Sequence, residues 1–324
     1  MNIERPVGAL ASERQWGSDY LADLIRQLDL KYLAINPGAS LRGLHDSLVN
    51  YLGNDDPQLL LCLHEEHAIA IAHGYAKVTG TPMAVAVHSN VGLMHASMAI
   101  YNAWCDRVPM VIVGATGPVD AAQRRPWIDW LHTARDQGKL VRDFIKWDDQ
   151  PASLQAAGEA GLRAQRIAAT PPQGPVYLCF DVSPQEQACD PALPLPDPAR
   201  FAQPVAAYPD PDAVQRVAQL LAHAKRPVIL AGRLSRHPDA WNRRVALAER
   251  LGATVITDLK QAAAVPTRHP LHVPFTVGQD GAQALRDADV ILALDWLDPA
   301  GTVKVLGERR AAGNSAIATC SPQQ

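Results

Sequence analysis

Residues 59–88, LLLCLHEEHAIAIAHGYAKVTGTPMAVAVH, form the stretch that determines the fold. Two short apolar runs, 59–63 and 83–88, are typical of buried strands because their apolar residues are continuous and do not alternate with polar ones. Residues 64–80 between them place small and apolar side chains at helical spacing. A strand, a helix and a second strand in this order indicate an open parallel sheet covered by helices.

The same alternation continues along the chain. Further strands are predicted at 31–36, 110–114, 176–180, 227–231, 254–257, 290–294 and 316–320, and helices from Ser18 onward and at 152–168, 212–224 and 238–251. Between 188 and 212, seven prolines and few large apolar residues predict an extended linker. We therefore expect two doubly wound, mainly parallel α/β domains, 1–187 and 213–324, joined by the linker 188–212.

Composition excludes several classes of protein. The 324 residues carry a net charge of −3, with 48% hydrophobic and 19% charged residues, as in globular chains. The charge argues against a nucleic-acid partner, and no apolar run is long enough to span a membrane. Five cysteines without a Cys-x-x-Cys pair, and a start with no secretory pattern, predict a cytoplasmic protein with reduced thiols.

Two adjacent glutamates open the helix that follows strand 59–63. Glu65 shares its helical face with apolar residues, whereas Glu66 shares a face with His73 and Lys77, which we expect to be solvated. Acidic residues favour the first turn of a helix, and this accounts for Glu66. The position of Glu65 needs a further explanation, because a carboxylate on an apolar helical face requires a partner or a raised pKa. Functional carboxylates often lie in such surroundings.

A zinc-protease interpretation of this stretch fails. That chemistry needs two histidines one helical turn apart in His-Glu-x-x-His, but Ala68 occupies the second position and His67 lies only three residues after His64. We expect no metal site here. Dinucleotide and P-loop motifs are also absent from the sequence.

Polar residues follow the first strands of the predicted sheet. Pro37-Gly38 follows strand 31–36, His64-Glu65 follows 59–63, and His88-Ser89 follows 83–88. In an open α/β sheet the carboxyl ends of the strands border the ligand crevice. From the sequence, a structural role and a catalytic role for these residues are about equally favoured.

These residues resemble the thiamine diphosphate-dependent enzymes, and in particular the acetolactate synthase, benzaldehyde lyase and benzoylformate decarboxylase group. The resemblance lies in His64-Glu65-x-x-Ala68, in Ala72-x-Gly74-Tyr75-Ala76 with Gly80, and in Asn36-Pro37-Gly38, His88-Ser89, Asn102-Ala103-Trp104 and Gly174-Pro175-Val176-Tyr177. The part after the linker resembles the family's central domain through 227–232 and 288–290.

The resemblance implies roles for individual residues. Glu65 would hydrogen-bond N1′ of the aminopyrimidine of thiamine diphosphate, with Pro37, Gly38 and His95 also at the cofactor. Catalysis would fall to Glu65 and His88, the latter moving a proton to or from a 2-keto acid. His88, with Ser89 and His132, would contact this substrate. His95 stands where the group more commonly has Asn, and Ala39 replaces a polar residue of benzoylformate decarboxylase, so the keto acid stays open.

The resemblance also implies a third domain that holds the diphosphate and Mg²⁺ through a Gly-Asp-Gly…Asn motif. The nearest string, Gly278-Gln279-Asp280-Gly281 with Asn314 after it, lacks a preceding apolar strand, so we predict a surface turn and expect this domain to be absent. FAD in the central domain is possible in such a family but has no support in these residues.

Two hypotheses follow. The chain is part of a 2-keto acid decarboxylase or carboligase, working as a dimer or tetramer or with a separate chain that supplies the diphosphate domain. Alternatively, it is a truncated, non-catalytic fragment or a binding subunit that needs a partner chain.

Overall fold

The computed structural model describes residues 4–204, 208–258, 264–274, 279–305 and 316–320. The chain divides into two compact units, Met1–Pro204 and Val205–Gln324. The division falls within the proline-rich segment. Among the described residues, no helix has both the length and the apolar character needed to cross a lipid bilayer.

The first unit contains one sheet with helices on both faces. Its elements in chain order are α1 (Gly17–Gln27), β1 (Tyr32–Ile35), α2 (Arg42–Asp46), β2 (Gln58–Leu61), α3 (Glu65–Thr79), β3 (Met83–Val87), α4 (Ser89–Cys105), β4 (Met110–Thr116), β5 (Asp148–Asp149), α5 (Leu154–Ala169), β6 (Pro175–Asp181) and α6 (Val182–Glu186). The strands pair in parallel in the order β2-β1-β3-β4-β6-β5.

The second unit repeats this architecture. It contains α7 (Pro211–Ala222), β7 (Pro227–Ala231), α8 (Pro238–Leu251), β8 (Thr254–Thr257), β9 (His272–Pro274), α9 (Gln279–Asp287), β10 (Val290–Leu294), α10 (Pro299–Val305) and β11 (Ala316–Cys320). Its parallel sheet has the order β11-β10-β7-β8-β9. The predicted fold class of two mainly parallel α/β domains is confirmed.

Each face of the first sheet has its own core, because successive strand residues point to opposite faces. Leu33 and Ile35 of β1 pack into the core that includes α1 and α5. Ala34, between them, packs into the core formed with α3 and α4. A strand buried on both faces must be apolar throughout, and this is why the continuous runs predicted the strands correctly.

One expectation about the second unit is wrong. Asp280 and Gly281, predicted to lie in a surface turn, are in the first turn of α9. The physical reason is Leu285, which is buried against Val228 and Ile291 and gives this segment an apolar helical face. Gly278 and Asn314, the other residues of that motif comparison, lie outside the described residues.

Two segments near the start and the end of the first unit lie side by side. Trp16 and Ala188 form an antiparallel bridge. The Gly17 N–H donates to the Gln187 carbonyl at 2.9 Å, and the Cys189 N–H donates to the Gln15 carbonyl at 2.9 Å. Beyond the bridge, Leu193, Leu195 and Phe201 pack against the α1 and α5 core, so this stretch of the proline-rich segment adds to that core.

Candidate functional site

The carboxyl ends of β1, β2 and β3 meet at one edge of the first sheet because these neighbouring strands are parallel. Chain order reverses here: β2 lies on one side of β1 and β3 on the other. Such a reversal opens a crevice at the strand ends, where open α/β sheets bind ligands. The predicted site residues that follow β1, β2 and β3 all lie at this edge.

Glu65 is the first residue of α3. The ring of His64, just before it, accepts the Glu66 N–H at Nδ1 at 3.1 Å and so caps the helix. Only 5% of Glu65 is exposed, as predicted from its position on the same face as Ala68 and Ala72. The carboxylate is therefore held at the rim of the apolar core.

The Glu65 carboxylate makes no hydrogen bond to any group within the described part of the chain. His95 Nδ1, on α4, lies 3.7 Å from Glu65 Oε2, beyond hydrogen-bond distance. Burying a carboxylate without a hydrogen bond is costly, so a hydrogen-bond donor bound at this carboxylate would stabilise it.

Gly92 on α4 makes room for this carboxylate. A Cβ atom at residue 92 would lie 2.7 Å from Glu65 Oε1 and 3.2 Å from its Cδ. Any larger residue would push the carboxylate or the helix aside. The absence of a side chain at Gly92 therefore sets the position of Glu65.

His95, predicted at the cofactor, lies near Glu65 but is largely solvated, with 62% of its side chain exposed. Its ring stacks on His64 with centroids 4.9 Å apart and planes 7° from parallel. Ligand-type atoms of His64, Glu65 and His95 lie within 4.8 Å of one another. The sequence pattern does not bring His64 and His95 together, because His64 caps α3 and His95 lies on α4.

His88 follows β3 directly and precedes α4. Its Nδ1 lies 2.8 Å from Ser40 Oγ, and its ring meets His132 edge to face with centroids 4.6 Å apart. Burial lowers the pKa of His88, and the nearby His132 lowers it further, while the Glu65 carboxylate acts in the opposite direction. The net result is a pKa below the ordinary value, so His88 is neutral at pH 7.

In the Pro37-Gly38 turn, Gly38 lies against the His88 ring. A Cβ atom at Gly38 would lie 2.2 Å from His88 Cγ and 2.5 Å from its Nδ1. The backbone of Gly38 is extended, so glycine is needed here for space and not for its conformational freedom. The turn after β1 and the loop after β3 are thereby locked together.

Ser89 is fully buried and has a left-handed backbone, with φ of 44°. Its hydroxyl donates to Asn90 Oδ1 at 3.1 Å. A non-glycine residue in this conformation is strained, and such strain is often found at functional sites. The hydroxyl predicted to contact substrate is thus already engaged within the first turn of α4.

His132 lies in a loop that is fixed from several sides. Its carbonyl accepts the Gly117 N–H at 3.0 Å, and the preceding Leu131 carbonyl accepts from Asn90 at 3.2 Å. Asp129, 1% exposed, pairs with Arg125 at 2.7 Å. The hydrogen bond from Arg125 holds the pKa of the Asp129 carboxyl below its usual range.

Sequence reasoning missed four residues of this site, namely Ser40, Asn90, Gly92 and Asp129. Each acts through a contact with a partner that the sequence pattern does not reveal. The signals that were present were weak. Ser40 directly follows Ala39, the position where the resemblance leads us to expect a polar residue, and Gly92 is a glycine inside a helix.

The structure therefore brings the predicted residues into two adjacent groups. The first contains Glu65 and His95, and the second contains Pro37-Gly38, His88 and His132. The first offers a carboxylate that has no hydrogen-bond donor among the described residues. The second offers a neutral imidazole that can give or take a proton near pH 7.

Two families match this chain. Residues 15–140 match the thiamine pyrophosphate enzyme, N-terminal TPP binding domain. Residues 214–298 match the thiamine pyrophosphate enzyme, central domain.

Curated relatives agree with these matches. Benzoylformate decarboxylase of Pseudomonas aeruginosa is 28% identical over 218 residues, 66% of this chain and 40% of the relative. The acetolactate synthase large subunit of Lactococcus lactis is 26% identical over 287 residues, 86% of this chain and 47% of the relative. The chain thus spans less than half the length of these two relatives.

The fold is also found in solved structures. The crystal structure of benzoylformate decarboxylase from Polynucleobacter necessarius superimposes with a TM-score of 0.75 at 24% identity, covering 96% of this chain and 56% of that one.

Proposed function

Since the chain belongs to the thiamine pyrophosphate-dependent enzyme family, we propose that it forms the pyrimidine-binding part of the active site of a 2-keto acid decarboxylase or carboligase. The single observation that carries this proposal is the buried Glu65 carboxylate, which has no hydrogen-bond donor within the described residues. Thiamine diphosphate, when bound, supplies an electron sink for the electron pair released as a 2-keto acid loses carbon dioxide.

Glu65 fits the aminopyrimidine of this cofactor. Its carboxylate would accept a hydrogen bond from a ring N–H, and the surrounding low dielectric would strengthen that bond. We propose that Glu65 holds and exchanges the proton at N1′, with Pro37, Gly38 and His95 bordering the same ring.

His88 would transfer a proton at its ring nitrogen to or from the substrate. Its lowered pKa keeps the ring neutral at pH 7, with one ring nitrogen as a hydrogen-bond donor and the other as an acceptor. His132 lies against His88, and we propose that both, with Ser89, border the 2-keto acid. Benzoylformate decarboxylase and acetolactate synthase among the relatives support a keto-acid substrate.

The described residues do not fit Mg²⁺. Within the described ranges, the group with the spacing for a metal ion is His64, Glu65 and His95. Two imidazoles and one carboxylate do not suit a hard cation that prefers oxygen ligands. We therefore assign Mg²⁺ and the diphosphate to a domain outside these residues and derive no step through the metal ion.

An exposed apolar stripe on α4 supports an assembly with further chains or domains. Val91, Met94, Met98 and Tyr101 recur at helical spacing and are 37–57% exposed. Exposed apolar side chains in a row are typical of interaction surfaces. We propose that this stripe is covered in a dimer or tetramer, or by a separate chain with the diphosphate domain.

The test compares two neighbouring glutamates. In the assembly of this chain with the diphosphate-binding domain, Glu65→Gln should abolish 2-keto acid consumption, with benzoylformate as the first probe. Glu66→Gln is the matched control, because Glu66 is exposed in the same helical turn, and it should keep wild-type activity. Circular dichroism and sedimentation should show the same fold and oligomer for both.

Unchanged keto-acid consumption in Glu65→Gln would refute the assignment. If the wild-type assembly consumes no 2-keto acid at all, and its cofactor affinity does not depend on Glu65, the chain is instead a binding subunit.

A further inference from the structure

Ser40 occupies an unexpected place beside His88. It lies in a 3-10 turn, Ala39–Leu41, just after Pro37-Gly38. Its hydroxyl oxygen is 2.8 Å from His88 Nδ1, and only 4% of the residue is exposed. Its carbonyl accepts a hydrogen bond from the buried Gln185 Nε2 at 3.3 Å. The backbone and the hydroxyl of Ser40 are both held in place.

The direction of the Ser40–His88 hydrogen bond follows from the groups around it. A buried hydroxyl must donate its proton, and among the described residues His88 Nδ1 is the acceptor within reach of Ser40 Oγ. If Nδ1–H donated instead, the Ser40 proton would be left without a partner. The arrangement that gives the Ser40 proton an acceptor has Ser40 as donor and Nδ1 as acceptor.

We propose that Ser40 is a positioning residue that donates to His88 Nδ1 and holds neutral His88 in the tautomer with its proton on Nε2. A neutral imidazole carries one proton, so occupation of the Nδ1 lone pair by a donor places that proton on Nε2. At Nε2, His88 is then a donor and not an acceptor. The Gly38 backbone against the ring prevents it from turning away.

The charged neighbours of His88 agree with this arrangement. His132 packs on the ring from its own loop, and Glu65 acts on it from α3. Protonation of His88 would convert Nδ1 from acceptor to donor, so the Ser40 hydroxyl would have to turn and accept, and its own proton would then lose its acceptor among the described residues. This loss opposes the charged form of His88. Resting on the proposed function, His88 would donate a hydrogen bond from Nε2–H to an oxygen of the keto acid or its product, with Ser40 fixing which nitrogen carries the proton.

The test is a pH titration of the His88 ring by ¹⁵N-resolved NMR on the chain as it exists, without cofactor. Replacing Ser40 by Ala removes a hydroxyl whose proton has its acceptor among the described residues only while His88 is neutral, so the proton affinity of His88 should rise about fivefold, the equivalent of a net hydrogen bond of about 1 kcal/mol. The share of the Nδ1–H tautomer should rise by a similar factor.

Ser40→Cys, which keeps the side-chain volume but donates weakly, should change both quantities in the same direction. Ser97→Ala is the matched control, because the Ser97 hydroxyl donates to the Leu93 carbonyl within α4, and it should leave the His88 titration unchanged.

An unchanged or lower proton affinity of His88 in both Ser40 variants would overturn the proposal, since it would mean that Ser40 accepts from Nδ1 or does not act on it. The NMR result does not depend on turnover. Failure of the Glu65→Gln assay with a positive Ser40 result would refute the proposed function alone, and the reverse pattern would refute the role of Ser40 alone.

Discussion

Asp106 at the end of α4 joins the two helices of the site and provides a prediction with a defined magnitude. His73 Nε2 and Lys77 Nζ, both on α3, lie 3.0 Å and 2.7 Å from Asp106 Oδ2. Burial alone would raise the pKa of the Asp106 carboxyl, but the hydrogen bonds from His73 and Lys77 hold it at about 2 instead of 3.8. The side chain is only 9% exposed, so solvent screens these contacts weakly.

A folded-state pKa below the unfolded value stabilises the fold above that unfolded value. The difference between 3.8 and about 2 corresponds to about 2 kcal/mol at neutral pH. Asp106→Asn should therefore lower the free energy of unfolding of the first unit by about 2 kcal/mol at pH 7. The deficit should shrink as the pH falls from about 4 towards 2, where the wild-type carboxyl also becomes neutral.

Urea unfolding at a series of pH values, followed by circular dichroism, measures this difference. Asp55→Asn is the matched control, because Asp55 is exposed in the loop before β2 and the charge change is the same. A deficit of the same size at pH 7 and pH 3 would refute the electrostatic reasoning, since it would show that the variant acts through packing alone.

Two further substitutions test the support of the site. Gly92→Ala should destabilise the first unit by about 1–3 kcal/mol in thermal unfolding, because the new Cβ would meet Glu65 Oε1 at 2.7 Å. Gly74→Ala in α3, where a Cβ meets nothing within 4 Å, should instead stabilise the unit by about 0.5–1 kcal/mol. Equal effects of the two substitutions would contradict the close approach of residue 92 to Glu65. Asp129→Asn should weaken the ion pair with Arg125 and speed amide hydrogen exchange in the loop of residues 125–133. Unchanged exchange in this loop would show that its other hydrogen bonds hold it without the ion pair.

The sequence was sufficient for the elements with strong apolar patterns. The predicted bounds are confirmed for β7, β8 and β10, because buried strands of a parallel sheet are apolar throughout. They are also confirmed for the helix α8, which has Pro238 at its start and Gly252 after its end. The two shortest strands, β5 and β9, were missed. They have two and three residues at sheet edges, too few to produce an apolar run.

From the residues alone, the site was predictable only where a side chain did not fit its local surroundings. The buried position of Glu65 follows from a carboxylate on an apolar helical face. His73 and Lys77, in contrast, were expected to be solvated, and this was wrong, because both contact Asp106 some 30 residues away. Ser40 and His88 are separated by 48 residues, and no periodicity within either segment signals their contact. Polar pairs between distant segments leave no local pattern.

The bridge between Trp16 and Ala188 has a consequence for how the first unit can be engineered. Because Trp16 and Ala188 lie side by side, the chain between them forms a ring in terms of connectivity. A ring can be opened elsewhere, for instance in the exposed connection around Asp55, once a short linker joins the two bridged segments. Such a circular permutant would keep every strand of the sheet and leave the crevice at the carboxyl edge untouched.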